Sequence, residues 1–162
     1  MGVLKLKLTI AYDGFQYKGW QVQKSGITVQ QKIEEALQKL FPSADRVHSS
    51  SRTDTGVHAR GMVAHVEIEK DEYRIGELKL RLALNAFLPD DVSVLEVKRV
   101  PANFHARFDA TGKQYRYMIW NHPVSNPLTR HTSWHVSRNL DLADMQKAAK
   151  YFIGSHDFSA FA

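Results

Sequence analysis

Ten residues, Ser50-Ser51-Arg52-Thr53-Asp54-Thr55-Gly56-Val57-His58-Ala59, bring an arginine, an aspartate and a glycine turn together between apolar runs. A guanidinium beside a carboxylate favours its ionised form. On a loop between buried strands such a carboxylate is fixed and can still reach a ligand. In extended backbone Arg52 and Asp54 share one side, so a direct ion pair is expected. Spacing alone favours an ordinary structural salt bridge in a turn. Tyr115, with basic and aromatic residues around it, completes the set whose types could do chemistry. His48, His58 and His65 lie near the motif, and His131 and His135 are four apart. Without cysteines or an HExxH pattern these histidines are not expected to bind a metal. No phosphate-cradling loop and no Gly-x-Ser-x-Gly elbow is present.

The elements that must position this loop are readable from periodicity. Leu4, Leu6, Leu8 and Ile10 alternate with Lys5, Lys7 and Thr9, the period of a half-buried strand. Asp13-Gly14 ends it, and a loop rich in Gly, Gln and aromatics leads to Thr28, an expected helix N-cap. Val29, Ile33, Leu37 and Leu40 recur at helical spacing before Pro42. A short strand over Arg46 to Ser49 feeds the motif, and Met62 to Ile68 follows with Ala64, Val66 and Ile68 on one face. A second helix is predicted over Ile75 to Phe87, with Leu78, Leu82 and Phe87 facing inwards, and a strand over Val92 to Val100. The order β-α-β-β-α-β is the split βαβ arrangement of ferredoxin-like folds.

The expected fold class is α+β: a ferredoxin-like domain over residues 1–105, then an incomplete second α+β domain over 106–162. In the second part Lys113 to Trp120 alternates as a strand, with Tyr115, Tyr117 and Ile119 on one face. Trp134 to Val136 reads as another strand, and Asp141 caps a helix running to Ile153 and stopping at Gly154. These elements are too few to close a second sheet-and-helix layer. The alternative is one compact domain with an extra hairpin and helix.

A chain of 162 residues with 43% hydrophobic and 24% charged residues is globular in composition. Its net charge of +5 and pI near 9.5 suit an anionic partner, nucleic acid above all. The absence of cysteine excludes disulfides and thiolate metal sites. The N-terminus lacks the apolar core of a signal peptide, and no apolar run suits a membrane helix, so a cytoplasmic location is expected.

Several blocks, in order, closely resemble the TruA family of tRNA pseudouridine synthases. They are Tyr12-Asp13-Gly14, Gly19-Trp20-Gln21, Thr28-Val29-Gln30, Arg52 to Ala59, Asn85 to Asp91, Phe104-His105-Ala106-Arg107-Phe108, Tyr115-Arg116-Tyr117 and Gly154 to Phe158. Ser51 stands where the family commonly has Gly, and Thr55 where it commonly has Ala. Family members also continue well past Ala162, so a piece of a longer protein is expected, with one wall of the cleft missing and weak or no activity.

The resemblance implies an isomerase that converts uridines 38, 39 and 40 of the tRNA anticodon arm to pseudouridine, without cofactor or metal, and acts as a homodimer. It makes Asp54 the catalytic aspartate. Arg52 would fill the space left by a flipped base or pair with a phosphate, and Tyr115 would stack on the extruded uracil. Arg60 directly follows a matched block and Arg107 lies within one, and these two are the favoured phosphate contacts. Lys18, Lys24, Lys113 and Arg116 are further candidates. The competing reading is a non-catalytic RNA-binding module of the same architecture. Asp54 separates the two, because a binding module has no need of an acid facing RNA.

Overall fold

The computed structural model describes residues 2–161 and divides into two compact units between Lys113 and Gln114. In the first unit, β1 (Val3–Tyr12), α1 (Val29–Leu40), β2 (His48–Ser49), β3 (Ala59–Glu69), α2 (Glu77–Phe87) and β4 (Val92–Val100) follow in the expected order. The four strands form an antiparallel sheet in the order β2-β3-β1-β4, and the ferredoxin-like reading is borne out.

Alternation in β1 becomes a division of faces. Leu6, Leu8, Ile10 and Tyr12 are buried in one cluster with Met62, Ala64, Val66 and Ile68 of β3 and Val92, Val94 and Val97 of β4. The core change from Val94 to Val97 reflects a bulge: Thr9 pairs with Glu96 and Ile10 with Val94, leaving Leu95 as the extra residue. Helix α1 starts where expected, with the Thr28 side chain accepting from the Gln31 amide, and buries Val29, Ile33 and Leu37.

Helix α2 presents a different face from the expected one. Leu80 and Leu84 are fully buried, whereas Leu78 and Leu82 are 64% and 59% exposed and Phe87 is also exposed. Asn85 explains the rotation. Its amide donates to the Val94 carbonyl (2.9 Å) and its carbonyl accepts from the Val94 amide (2.8 Å), so α2 is keyed to β4 through that face.

The opposite face of the sheet is covered in part by residues 104–108. Lys5 Nζ donates to the Phe104 carbonyl (3.0 Å) and pairs with Glu67 (2.9 Å), while the Ala106 amide donates to His65 Nδ1 (3.2 Å).

In the second unit β5 (Ile119–Asn121) and β6 (Trp134–Val136) form a parallel pair, followed by α3 (Leu142–Ala149). The strand expected over Lys113 to Trp120 is therefore confined to its end. Residues 113–118 take no strand, because side-chain alternation forms one only where a neighbour takes up the backbone groups. Asp141 caps α3 as expected, but the α-helix gives way to a 3₁₀ turn at Lys150–Phe152 before Gly154. Phe158 and Phe161 contact Phe152 and each other yet stay exposed. Among the described residues of this unit only Val136 is a buried hydrophobic, so its apolar side chains enclose no core.

Candidate functional site

The loop from Ser50 to His58 is fastened along its length to the segment that follows β1. Thr53 is held twice: its hydroxyl lies 2.8 Å from Tyr12 Oη, and its carbonyl accepts the Trp20 amide at 3.0 Å. Asp54 opens a turn closed by the Val57 amide on the Asp54 carbonyl (3.2 Å), with Gly56 at φ +80°. The Gly56 amide donates to the Tyr17 carbonyl (3.3 Å), and the Gly14 amide donates to His58 Nδ1 (3.1 Å).

Two glycines make this approach possible. A Cβ on Gly14 would lie 1.9 Å from the Val57 carbonyl oxygen, and one on Gly19 would lie 2.5 Å from that of Thr53. Side chains at these positions would occupy the space that the loop fills.

The fastening segment is itself anchored. The Asp13 amide donates to the Asp91 carbonyl (2.9 Å), and the Tyr17 hydroxyl donates to the Asp91 carboxylate. Burial, then the Asp91 hydrogen bond and charge, push the Tyr17 phenol well above the ordinary tyrosine range, so it stays a donor. Buried Gln30 joins three parts of the fold, accepting from the Val22 amide (3.1 Å) and donating to Glu34 (2.8 Å) and the Val47 carbonyl (3.2 Å). On the other side of the loop, the Ser50 amide donates to the Val63 carbonyl of β3 (2.7 Å).

On this fixed backbone both Arg52 and Asp54 are exposed. No ion pair within 4.0 Å joins them among the described residues, contrary to the direct pair expected. The reason is that Thr53, Gly56 and His58 hold the turn through hydrogen bonds to residues 12–20, leaving the two charges free to point into solvent.

Beside the loop is a cleft of about 490 Å³ whose cationic lining is Arg46, Arg52, Arg107 and Lys113, with His48, His105 and Phe108 among its rings. Among the described residues no carboxylate lines it. Phe108 is 76% exposed and its ring lies 4.2 Å from that of His105. Behind them His65 is buried, with its ring 4.7 Å from His105 and 5.1 Å from His48. Burial, then the neighbouring charges of His105, His48 and Lys5, lower its pKa to about 4. His65 is thus neutral at pH 7, with Nδ1 engaged by Ala106.

The structure brings Arg52 and Arg107 to one cleft. Arg60 lies exposed on β3 and is not among the lining residues, and Tyr115 lies in the second unit, 67% exposed. Sequence reasoning passes over Arg46, His48, His105 and Phe108 as site residues. The last two stand inside the Phe104–Phe108 block, which was a signal that this turn mattered.

Fold and cleft together define a ferredoxin-like α+β domain with a basic groove beside a pinned, acid-bearing loop. Residues 8–109 match the family described as tRNA pseudouridine synthase. A tRNA pseudouridine synthase A of Ruminiclostridium cellulolyticum is 48% identical over 157 residues, covering 97% of this chain and 63% of that protein. Those of Geotalea daltonii and Acetivibrio thermocellus are 46% and 47% identical, each with 96% of this chain and 63% of the relative covered. The chain belongs to the tRNA pseudouridine synthase family, and it spans about 63% of the length of these curated relatives.

Proposed function

We propose that the protein isomerises uridines 38, 39 and 40 of the tRNA anticodon arm to pseudouridine, with Asp54 as the catalytic residue. The observation that carries this reading is the exposed Asp54 on a loop pinned at Thr53, Gly56 and His58, beside a groove lined by four cations and no carboxylate.

The reaction breaks the bond from ribose C1′ to uracil N1 and forms one from C1′ to C5. A proton leaves C5 and N1 gains one, so nothing is oxidised and no co-reactant is consumed. Loss of the base builds positive charge at C1′, which a fixed carboxylate stabilises or captures, as in retaining glycosidases. Addition of the carboxylate to uracil C6 is the other route, and the atom to which a trapped adduct is attached distinguishes them. A stacked base must first be flipped out. Arg52 fills the vacated space or holds a phosphate. Tyr115 stacks on the extruded uracil and takes part in removing the C5 proton. Arg107 and Arg60 hold the backbone, and contacts of this kind position RNA without reading its sequence.

In this reading residues 1–105 form the domain carrying the catalytic loop, and 106–162 belong to a second cleft-forming domain. The intact protein works on tRNA in the cytoplasm as a homodimer. Residues 1–162 alone turn over weakly or not at all, because one wall of the cleft is supplied by the part of the longer protein they lack. Turnover by 1–162 equal to that of a longer form would remove this last point.

The deciding experiment is Asp54→Asn in the intact protein, assayed for pseudouridine in an anticodon-arm substrate. Turnover should fall by roughly 10³-fold or more with tRNA binding retained. Activity close to wild type would exclude Asp54 from catalysis.

A further inference from the structure

His58 follows Asp54 by four residues on the same loop, and one of its ring atoms meets two groups of opposite character. Nδ1 lies 3.1 Å from the Gly14 amide, a donor, and 2.9 Å from Asp13 Oδ1, an acceptor. A ring nitrogen has either a lone pair or a proton at one time. With the proton on Nε2, Nδ1 accepts from Gly14. With a proton on Nδ1, it donates to Asp13 and must release the Gly14 amide.

The partners are themselves hydrogen-bonded. Asp13 Oδ1 accepts the Phe15 amide (3.0 Å), the Gly14 carbonyl accepts the Tyr17 amide (3.0 Å), and the Asp13 amide is tied to Asp91. Gly14 packs so closely on Val57 that a Cβ there would overlap its carbonyl. His58 therefore fastens the C-terminal stem of the loop to this turn, while Thr53 fastens the N-terminal stem to Tyr12 and Trp20.

We propose that His58 is a positioning residue for Asp54: its Nδ1 accepts the Gly14 amide and so fixes the stem from which the carboxylate is presented. The proposal rests on the assignment of Asp54 as catalytic, and its role is in placement of the loop, not in contact with the uridine. Removing the acceptor frees one end of a turn whose other end stays held, so the carboxylate samples off-line positions. A misplacement of about 1 Å is enough to cost about 10²-fold in rate.

The test compares His58→Ala and His58→Asn in the intact protein. Asparagine places a carbonyl oxygen near the position of Nδ1, so it restores the acceptor without the ring. The expected result for alanine is a kcat lower by about 10- to 100-fold with KM for tRNA within about twofold. Asparagine should recover most of that loss. Amide hydrogen exchange at Gly14 should speed up in His58→Ala and return towards wild type in His58→Asn, independently of any reaction.

Equal impairment by both variants, or a rise in KM at unchanged kcat, would overturn the proposal. So would unchanged Gly14 exchange in the alanine variant. If the wild-type protein forms no pseudouridine, the catalytic reading fails, and the exchange measurement still decides whether His58 holds the loop.

Discussion

Gly14→Ala is the sharpest perturbation the loop offers, because the cost is steric and its direction is known. Gly14 is not among the positive-φ glycines, so alanine meets no conformational penalty there. Its Cβ would sit 1.9 Å from the Val57 carbonyl oxygen and 2.6 Å from its carbon, whereas real Cβ atoms essentially never come within 3.0 Å. Both are backbone atoms, so the loop must retreat by more than about 1 Å, and the Gly14–His58 bond is disturbed with it. Overpacking costs about 1–3 kcal/mol and a lost hydrogen bond about 1 kcal/mol, a melting temperature lower by roughly 10 °C. A catalytic group displaced by that distance loses about 10²-fold in turnover.

Gly56→Ala is the matched control. At φ +80° it strains the backbone by about 1–2 kcal/mol, yet its Cβ would meet nothing within 4 Å. Pseudouridine formation and thermal unfolding, measured on both variants of the intact protein, separate displacement from strain. Gly14→Ala should lose about 10²-fold in turnover, and Gly56→Ala less than about threefold despite a loss of about 1–2 kcal/mol in stability. Turnover in Gly14→Ala within about threefold of wild type would refute the claim that this close approach positions the chemistry. Equal losses in the two would refute it as well.

Two further outcomes follow from the groove. RNA affinity should fall steeply with salt, and alanine at Arg46, Arg107 or Lys113 should each reduce the log–log slope by about 1, read by fluorescence anisotropy across a salt series. A flat response would remove the phosphate contacts. The buried His65 predicts a pH effect on stability: the unfolded side chain protonates near 6.5 and the folded one only near about 4. Unfolding therefore takes up a proton in that window, and stability declines as pH falls through it, by at most about 1.4 kcal/mol per unit. His65→Asn, which offers the Ala106 amide an acceptor but does not titrate, should flatten that slope in denaturant titrations; an unchanged slope would assign it to other groups.

Where local chemistry decides structure, the sequence was enough. The β1 alternation, the Thr28 cap and the β-α-β-β-α-β order stand because each depends on neighbours within a few residues. Helix α2 shows where that ends. Leu78, Leu80, Leu82 and Leu84 put apolar groups on both sides of the helix, so periodicity cannot choose between 78/82 and 80/84. Asn85 chooses, by bonding both backbone groups of Val94 nine residues on. The Asp54 loop was legible as a charged turn, but its fastening was not. Its bonds to Tyr12, Trp20 and Gly14 cross about forty residues, and their only trace in the sequence is glycine where a side chain would collide.

That fastening also accounts for the absence of an Arg52–Asp54 pair. Were the pair what shaped the turn, each charge would be committed to the other. Because Thr53, Gly56 and His58 set the shape, Arg52 lines the groove and Asp54 stays exposed. An uncommitted carboxylate beside RNA is repelled by every phosphate within a Debye length of about 8–10 Å. A module that only binds would gain from losing it, and an enzyme retains it for the reaction. Asp54→Asn therefore carries two readouts: RNA affinity should rise slightly for either kind of protein, whereas turnover collapses only if the acid is catalytic. Affinity that drops on this substitution would mean that Asp54 contacts a donor on the RNA or shapes the loop, against the proposed division of roles.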